Sequence, residues 1–466
     1  MVLRSFISSP IVKGLTFCAV SFFTYSNGAT IKASSSSLSA VQTALNSAAS
    51  GDIIIIPAGS STWSGPLKIT KTNITLQGNG IGSTIITRSG QVFNTSGESA
   101  NSLRITGVEL HSCTNCFEAS GSGSPRQAIK NLRIDNSKFV NAYIVLETQG
   151  GATGVIDHCT FQDSYGARLY GSNDANARFP LPLGTSDAVF FEDNVINVSS
   201  NGTPPHFIAS NSFSKYVIRH NTFNYTKSLW DIVDAHGYCE VTGRGSATWE
   251  IYENTFNLVS PLNRVIHLRG GEGVVFNNKF VNYKPTLAIS LTDYSYCHTP
   301  CVQSCSGYPC KDQINHSYFW NNTTGTSVLS PVSDCNVVQV SRDYYNSPAA
   351  NYTPYTYPHP LTVLDKTTQP PTAVTQNAAI TSGINRLRLI SNPSKPITSI
   401  SYSLENQSFV KINIFDAEGV LVTALVNRTE SAGNHVISWD ATSFTKGLYF
   451  VKADLGNHSF TERIVR

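Results

Sequence analysis

The segments VIRHNTF (217–223), EIYENTF (250–256) and VFNNKF (275–280) repeat one pattern: an apolar residue, asparagine three positions on, and phenylalanine two beyond that. The pattern extends upstream through LRIDNSKF (132–139), VIDHCTF (155–161) and FFEDNVI (190–196). Aligned, these segments give one apolar column of Ile134, Ile156, Phe191, Ile218, Ile251 and Val275. A second column runs Phe139, Phe161, Ile196, Phe223, Phe256 and Phe280. The steps of 22, 35, 27, 33 and 24 residues are unequal, so loops of different length leave an otherwise regular coil. Asn194, Asn221, Asn254 and Asn278 share one turn position, where the side chain tolerates tight-turn dihedrals and bonds its own rung and the next. This predicts stacked rungs with an asparagine ladder. Three short parallel strands per turn around an apolar interior describe a right-handed parallel β-helix.

The same alignment brings polar residues into register. Asp234 and His236 lie two apart in WDIVDAHG, and His267 and Arg269 repeat the arrangement 33 residues later in RVIHLRGG. Phe223 to Phe256 is also 33, so the two runs belong to successive turns. Phe256 to Phe280 is 24, and 24 added to Arg269 reaches Asp293. Neighbouring parallel strands are about 4.8 Å apart. Two outward columns are expected, Asp234 over His267, and His236 over Arg269 over Asp293. Asp231 and Arg264 also align at 33, at the strand margin, as a salt bridge. Glu250 and Tyr252 are expected to face outward and are candidates for binding.

The rest of the chain fits an exported all-β protein. Charged residues make up 14%, and a net charge of +3 is too small for a nucleic-acid footprint. Residues 1–29 read as a signal peptide, with Arg4 and Lys13 ahead of or beside a short apolar stretch, and no later run is long enough to span a membrane. Of ten cysteines, Cys18 leaves with the signal. Cys159 takes a turn position that holds asparagine elsewhere and is expected to be buried and unpaired, leaving eight for disulfides, as export permits. Cys297, Cys301, Cys305 and Cys310 have spacings that match no usual zinc series, which favours disulfides there. SLSAVQTALNSAAS (37–50) is an amphipathic helix placed to cap the open first coil. NYTPYTYPHPL (351–361) reads as an extended strap that packs along the flank of the coil or caps its far end, with stacking on sugar rings the rival role. The boundaries so read are a β-helix domain over 30–366, a Pro/Thr linker over 367–379, and alternating strands over 380–466 that suggest a small Ig-like β-sandwich.

SAVQTALNSAASGDIIIIPAG, ITLQGNG and the Asn-x-Phe rungs together resemble the pectate-lyase-like β-helix superfamily over roughly residues 30 to 345. The tail, through Asn392-Pro393, IFDAEG (414–419), KGLYFVK (446–452) and TERIVR, resembles the C-terminal sorting domain of the type IX secretion system. That resemblance implies passage through the type IX machinery and a secreted or cell-surface location. Asp234-Ala235-His236 is similar to the Asp-Pro-His motif of alginate epimerases and related lyases, although Gly237 stands where an acid usually follows. The resemblance implies β-elimination or C5-epimerisation of an acidic polysaccharide. That chemistry needs a cation at the uronate carboxylate, a base for the neighbouring C–H and an acid for the leaving oxygen. Arg269 would pair with the carboxylate, His236 or His267 would be the base, Asp234 would orient a histidine, and Asp293 would supply an acid. Asp231, Asp234 or Asp293 could provide oxygen ligands for calcium. The rival from another class is a non-catalytic adhesin or glycan-binding protein.

Overall fold

The computed structural model describes residues 28–363 except 96–100, 121–127, 173–179, 200–205, 228–230, 238–243, 260–263, 283–286, 293–312 and 334–337. It also describes residues 386–465 except 391–396, 405, 417–419, 432, 443, 446 and 457. The signal segment to residue 27, the linker, and Cys239, Cys297, Cys301, Cys305, Cys310 and Cys335 lie outside the described residues. The chain forms two compact units, residues 1–370 and 371–466.

Among the described residues, the first unit is a parallel β-helix of three sheets with 12, 11 and 10 strands. Each turn gives one strand to each sheet in order, as in Thr248–Tyr252, Thr255–Leu258 and Arg264–Leu268. The apolar columns stack in register: Ile218 pairs with Ile251 and Ile251 with Val275 in the first sheet. In the second, Phe223 pairs with Phe256 and Phe256 with Phe280, their rings stacked at 4.8 and 5.0 Å. SYFWNNT forms a further rung, with Phe319 beside Val275 and Asn322 continuing the ladder.

The ladder asparagines do not themselves take the tight dihedral. The left-handed residue is the one before each of them, Asp193, His220, Glu253 and Asn277, with φ of 54–57°. The asparagine side chains point inward and are buried. Asn254 Nδ2 donates to Asn278 Oδ1 at 3.0 Å and to the carbonyls of Ile218 and Tyr252, while its Oδ1 accepts from the amide N–H and Nδ2 of Asn221. Cys159 occupies the preceding ladder position, buried and free, and its N–H donates to Asn194 Oδ1 at 2.9 Å. Cys113 and Cys116 form a disulfide.

The helix Leu38–Ser47 is capped by Ser37, whose side chain accepts from the Ala40 N–H, and it buries Val41, Ala44 and Leu45 over the first coil. Residues 352–361 lie along the outer face of the first sheet, where Tyr352, Tyr355 and Leu361 pack on Phe190, Val217, Tyr252 and Phe276. The buried Arg219 is bonded to Glu192 and to the carbonyls of Tyr355 and Thr356, and the His359 N–H donates to Glu192. The second unit is a sandwich of a three-stranded and a four-stranded antiparallel sheet. Ile400, Tyr402 and Trp439 of one sheet share its core with Val410, Ile412 and Val451 of the other.

Two measurements test this account. Asn254→Ala takes the side-chain acceptor from the buried Asn221 N–H and the amide donor from the Ile218 and Tyr252 carbonyls, and should cost about 3 kcal/mol of stability, read from denaturant unfolding. Glu272 is buried below Leu181, whose N–H it accepts, with His316 Nδ1 at 3.2 Å. Burial pushes its carboxyl from the usual 4.5 up to about 7. The folded state therefore favours the neutral acid, so the associated stability is complete below pH 4.5 and is lost as pH rises through about 7. Glu272→Gln should remove roughly 2–3 kcal/mol of that loss, seen by comparing melts of both proteins at acid and mildly alkaline pH.

Candidate functional site

The third sheet, containing Val233–Ala235, Arg264–Leu268 and Leu287–Leu291, carries the polar cluster. Val233, Ala235, Ile266 and Leu268 point inward into the core, so the residues between and beyond them point out. Asp234 is the register partner of His267, and the Arg269 N–H donates to the carbonyl of Ala235. One rung earlier Ala209 is the partner of Asp234.

Asp234 is the hub. Arg269 holds it through Nε to Oδ1 at 3.0 Å and Nη2 to Oδ2 at 2.8 Å, and His236 Nε2 is 2.8 Å from Oδ2. Burial alone would raise its carboxyl, but the hydrogen bond and charge of His236, with the charges of Arg269 and His206, outweigh it and hold the group well below the usual carboxylate range. Asp231 accepts from Arg264 Nε at 2.9 Å, as its alignment implied. His267 Nδ1 stands between the two carboxylates, 3.5 Å from Asp231 and 3.8 Å from Asp234, while Nε2 is 3.2 Å from Thr292 Oγ1. His206 is 4.0 Å from Asp231 and 3.7 Å from Asp234. Burial lowers its pKa, against the pull of Asp234 and Asp231. The side chains of His206, His236 and Arg264 remain 14%, 15% and 29% exposed, so the cluster has an open edge.

The structure thus brings together Asp234, His236, His267 and Arg269, and adds His206, which sequence reasoning missed. The signal was present: His206, Asp231 and Arg264 follow one margin column at steps of 25 and 33 (206 to 231, 231 to 264), the same steps that relate Ile208 to Val233 and Val233 to Ile266. Asp293 lies outside the described residues, and the 24-residue step does not hold on this face. Arg264 pairs with Leu287 and His267 with Ser290, a step of 23 (264 to 287), because the connection between the second and third sheets is one residue shorter in that turn. Arg269 spends two nitrogens of its fork on Asp234, which leaves Arg264 the more exposed cation. Glu250 and Tyr252 are on the first sheet, away from the cluster and buried by the strap. Tyr352 Oη donates to Glu250, and Tyr252 Oη accepts from Arg219.

Residues 391–466 match the family described as the secretion system C-terminal sorting domain. The tail is a sorting domain. The protein is therefore exported by the type IX route to the cell surface or beyond. No curated protein matches the chain. Among the described residues no helix is long and apolar enough to cross a membrane.

Asp234→Ala removes both bonds to the buried Arg269 and should cost about 3–5 kcal/mol. Arg264→Ala breaks a pair at the exposed edge and should cost less than about 1 kcal/mol. Denaturant midpoints of the two variants check the contrast.

Proposed function

We propose that the β-helix acts on an acidic polysaccharide outside the cell, by β-elimination or C5-epimerisation. The observation that carries this reading is a carboxylate gripped by an arginine and a histidine, with two further histidines within 3.8 Å, on the outer face of a long parallel sheet. Both reactions begin by removing the hydrogen next to a uronate carboxylate, so one cluster serves either outcome. Asp234 orients His236 through Nε2, which makes Nδ1 the proton acceptor. Arg264, at the exposed margin, pairs with the sugar carboxylate, the part first expected of Arg269. Arg168 lies two rungs up the Asp234 column, about 10 Å away by strand spacing, where it can meet another carboxylate of an extended chain. The likeness of the rungs to the pectate-lyase-like superfamily supports the substrate class, but folds of this kind also carry other activities.

Two features favour a second reading, a non-catalytic glycan-binding protein. His236 Nδ1 is buried, and Asp231 and Asp234 each already have an arginine.

The test follows loss of the C5 hydrogen by exchange in deuterated water, with ultraviolet absorbance of unsaturated uronate, over alginate, pectate and glycosaminoglycans. Loss of the C5 hydrogen at the native protein that falls at least about 100-fold in His236→Ala supports the enzyme. Loss with the new absorbance and no deuterium at C5 means elimination, and deuterium at C5 without the absorbance means epimerisation. Neither signal on any polymer, with binding retained, leaves the glycan-binding protein.

A further inference from the structure

The longest contacts in the cluster carry the most information. His267 Nδ1 is 3.5 Å from Asp231 Oδ2 and 3.8 Å from Asp234 Oδ1. His206 is 4.0 Å from Asp231 Oδ2 through Nδ1 and 3.7 Å from Asp234 Oδ2 through Nε2. All four exceed a good N–H···O bond, which closes to about 2.7–3.2 Å. Even so, ligand atoms of His206, Asp231 and Asp234 fall within 4.8 Å of one another. Atoms bound to one zinc ion at about 2.0–2.1 Å are about 3.4 Å apart at the tetrahedral angle. Each imidazole gives one nitrogen to an ion, so the separation that bears on a metal shell is that of one atom each from His206, Asp231 and Asp234, which lie within 4.8 Å of one another and close by about an ångström to reach it.

The outer contacts fit the same reading. Arg264 takes Asp231 Oδ1 and leaves Oδ2 facing both histidines. Arg269 and His236 fix the Asp234 carboxylate, and Thr292 sits at the far nitrogen of His267, so that Nδ1 faces the two acids. Metal ligands are commonly oriented by such second partners. His206 Nδ1 is buried and has no hydrogen-bond partner among the described residues.

We propose that His206, Asp231 and Asp234 bind a divalent transition metal of the zinc type, with His267 Nδ1, 3.5 and 3.8 Å from the two acids, moving in as the fourth ligand. Imidazole and carboxylate donors together suit such an ion, whereas calcium takes about 6–8 oxygen ligands and magnesium keeps mostly oxygen and water. The calcium considered from the sequence is therefore not the ion this donor set selects. Bound here, a zinc ion would lie at the open edge beside Arg264, where a sugar carboxylate can reach it. The binding does not depend on the chemistry proposed above.

The test uses the full chain, stripped with a chelator and titrated with zinc by calorimetry and with cobalt(II) by absorption. One zinc per chain, a rise in melting temperature on loading, and a cobalt spectrum without a thiolate charge-transfer band are expected. His206→Gln, His267→Gln and the near-isosteric Asp231→Asn should each weaken zinc binding at least tenfold and abolish the rise in melting temperature. No zinc uptake, uptake unchanged in all three folded variants, a thiolate band from cysteine ligands, or equal competition by calcium would overturn the site. Because no substrate is involved, a protein that binds zinc but removes no C5 hydrogen, by exchange or by elimination, keeps the site and loses the enzyme. One that removes the hydrogen without binding zinc does the reverse.

Discussion

Hydrogen bonding between successive rungs, backbone to backbone in the sheets and amide to amide along the asparagine ladder, sets the spacing on which the rest of the β-helix depends. An amide both donates and accepts, so Asn194, Asn221, Asn254 and Asn278 each pass the bond to the next turn, ending at Asn322. Serine and cysteine continue the line with less capacity. At Cys159 the Sγ approaches the Asp157 carbonyl at 3.4 Å, and the backbone N–H, rather than the side chain, meets Asn194. With rungs fixed about 4.8 Å apart, residues far apart in sequence become neighbours whenever their offset equals one turn. Arg269 reaches Asp234 on that basis, 35 positions away.

The columns that bury apolar or asparagine side chains were readable because each rung has the same need for them. Ile218 over Ile251, Phe223 over Phe256 and Asp234 over His267 all follow from one step of 33 (218 to 251). Extrapolation failed where a step was carried from one face to another. The second sheet advances by 24 from Phe256 to Phe280 while the third advances by 23 from His267 to Ser290, since a corner can lose a residue without disturbing either strand. His206 was legible in the same arithmetic, but its rung, HFIAS, lacks the flanking acids of WDIVDAH.

The fate of Glu250 and Tyr252 could not be read from the rungs at all. Their outward direction follows from strand alternation, but what covers them comes from Tyr352 and Tyr355, about a hundred residues downstream. Alternation fixes the side of the sheet and says nothing about which later segment lies upon it. A strap of tyrosine and proline brings its own hydrogen-bonding groups to buried charges, so it can settle over Arg219 and Glu192 where a purely apolar segment would leave them unmet.

The two outer faces use the same residue types to different ends. On the first sheet, Arg104 with Asp135, Arg133 with Asp157 and Arg219 with Glu192 make contacts of 2.6–3.2 Å, and backbone carbonyls of the strap occupy further guanidinium hydrogens. Buried charges need that degree of pairing to be tolerated. On the third sheet the arginine pairs and His236 are as tight, but His206 and His267 stand 3.5–4.0 Å from oxygens of the same carboxylates. A ladder that served only to hold rungs together would gain by closing those gaps, as the first sheet does. Imidazoles held near two acids but not bonded to them form an arrangement that an additional cation completes.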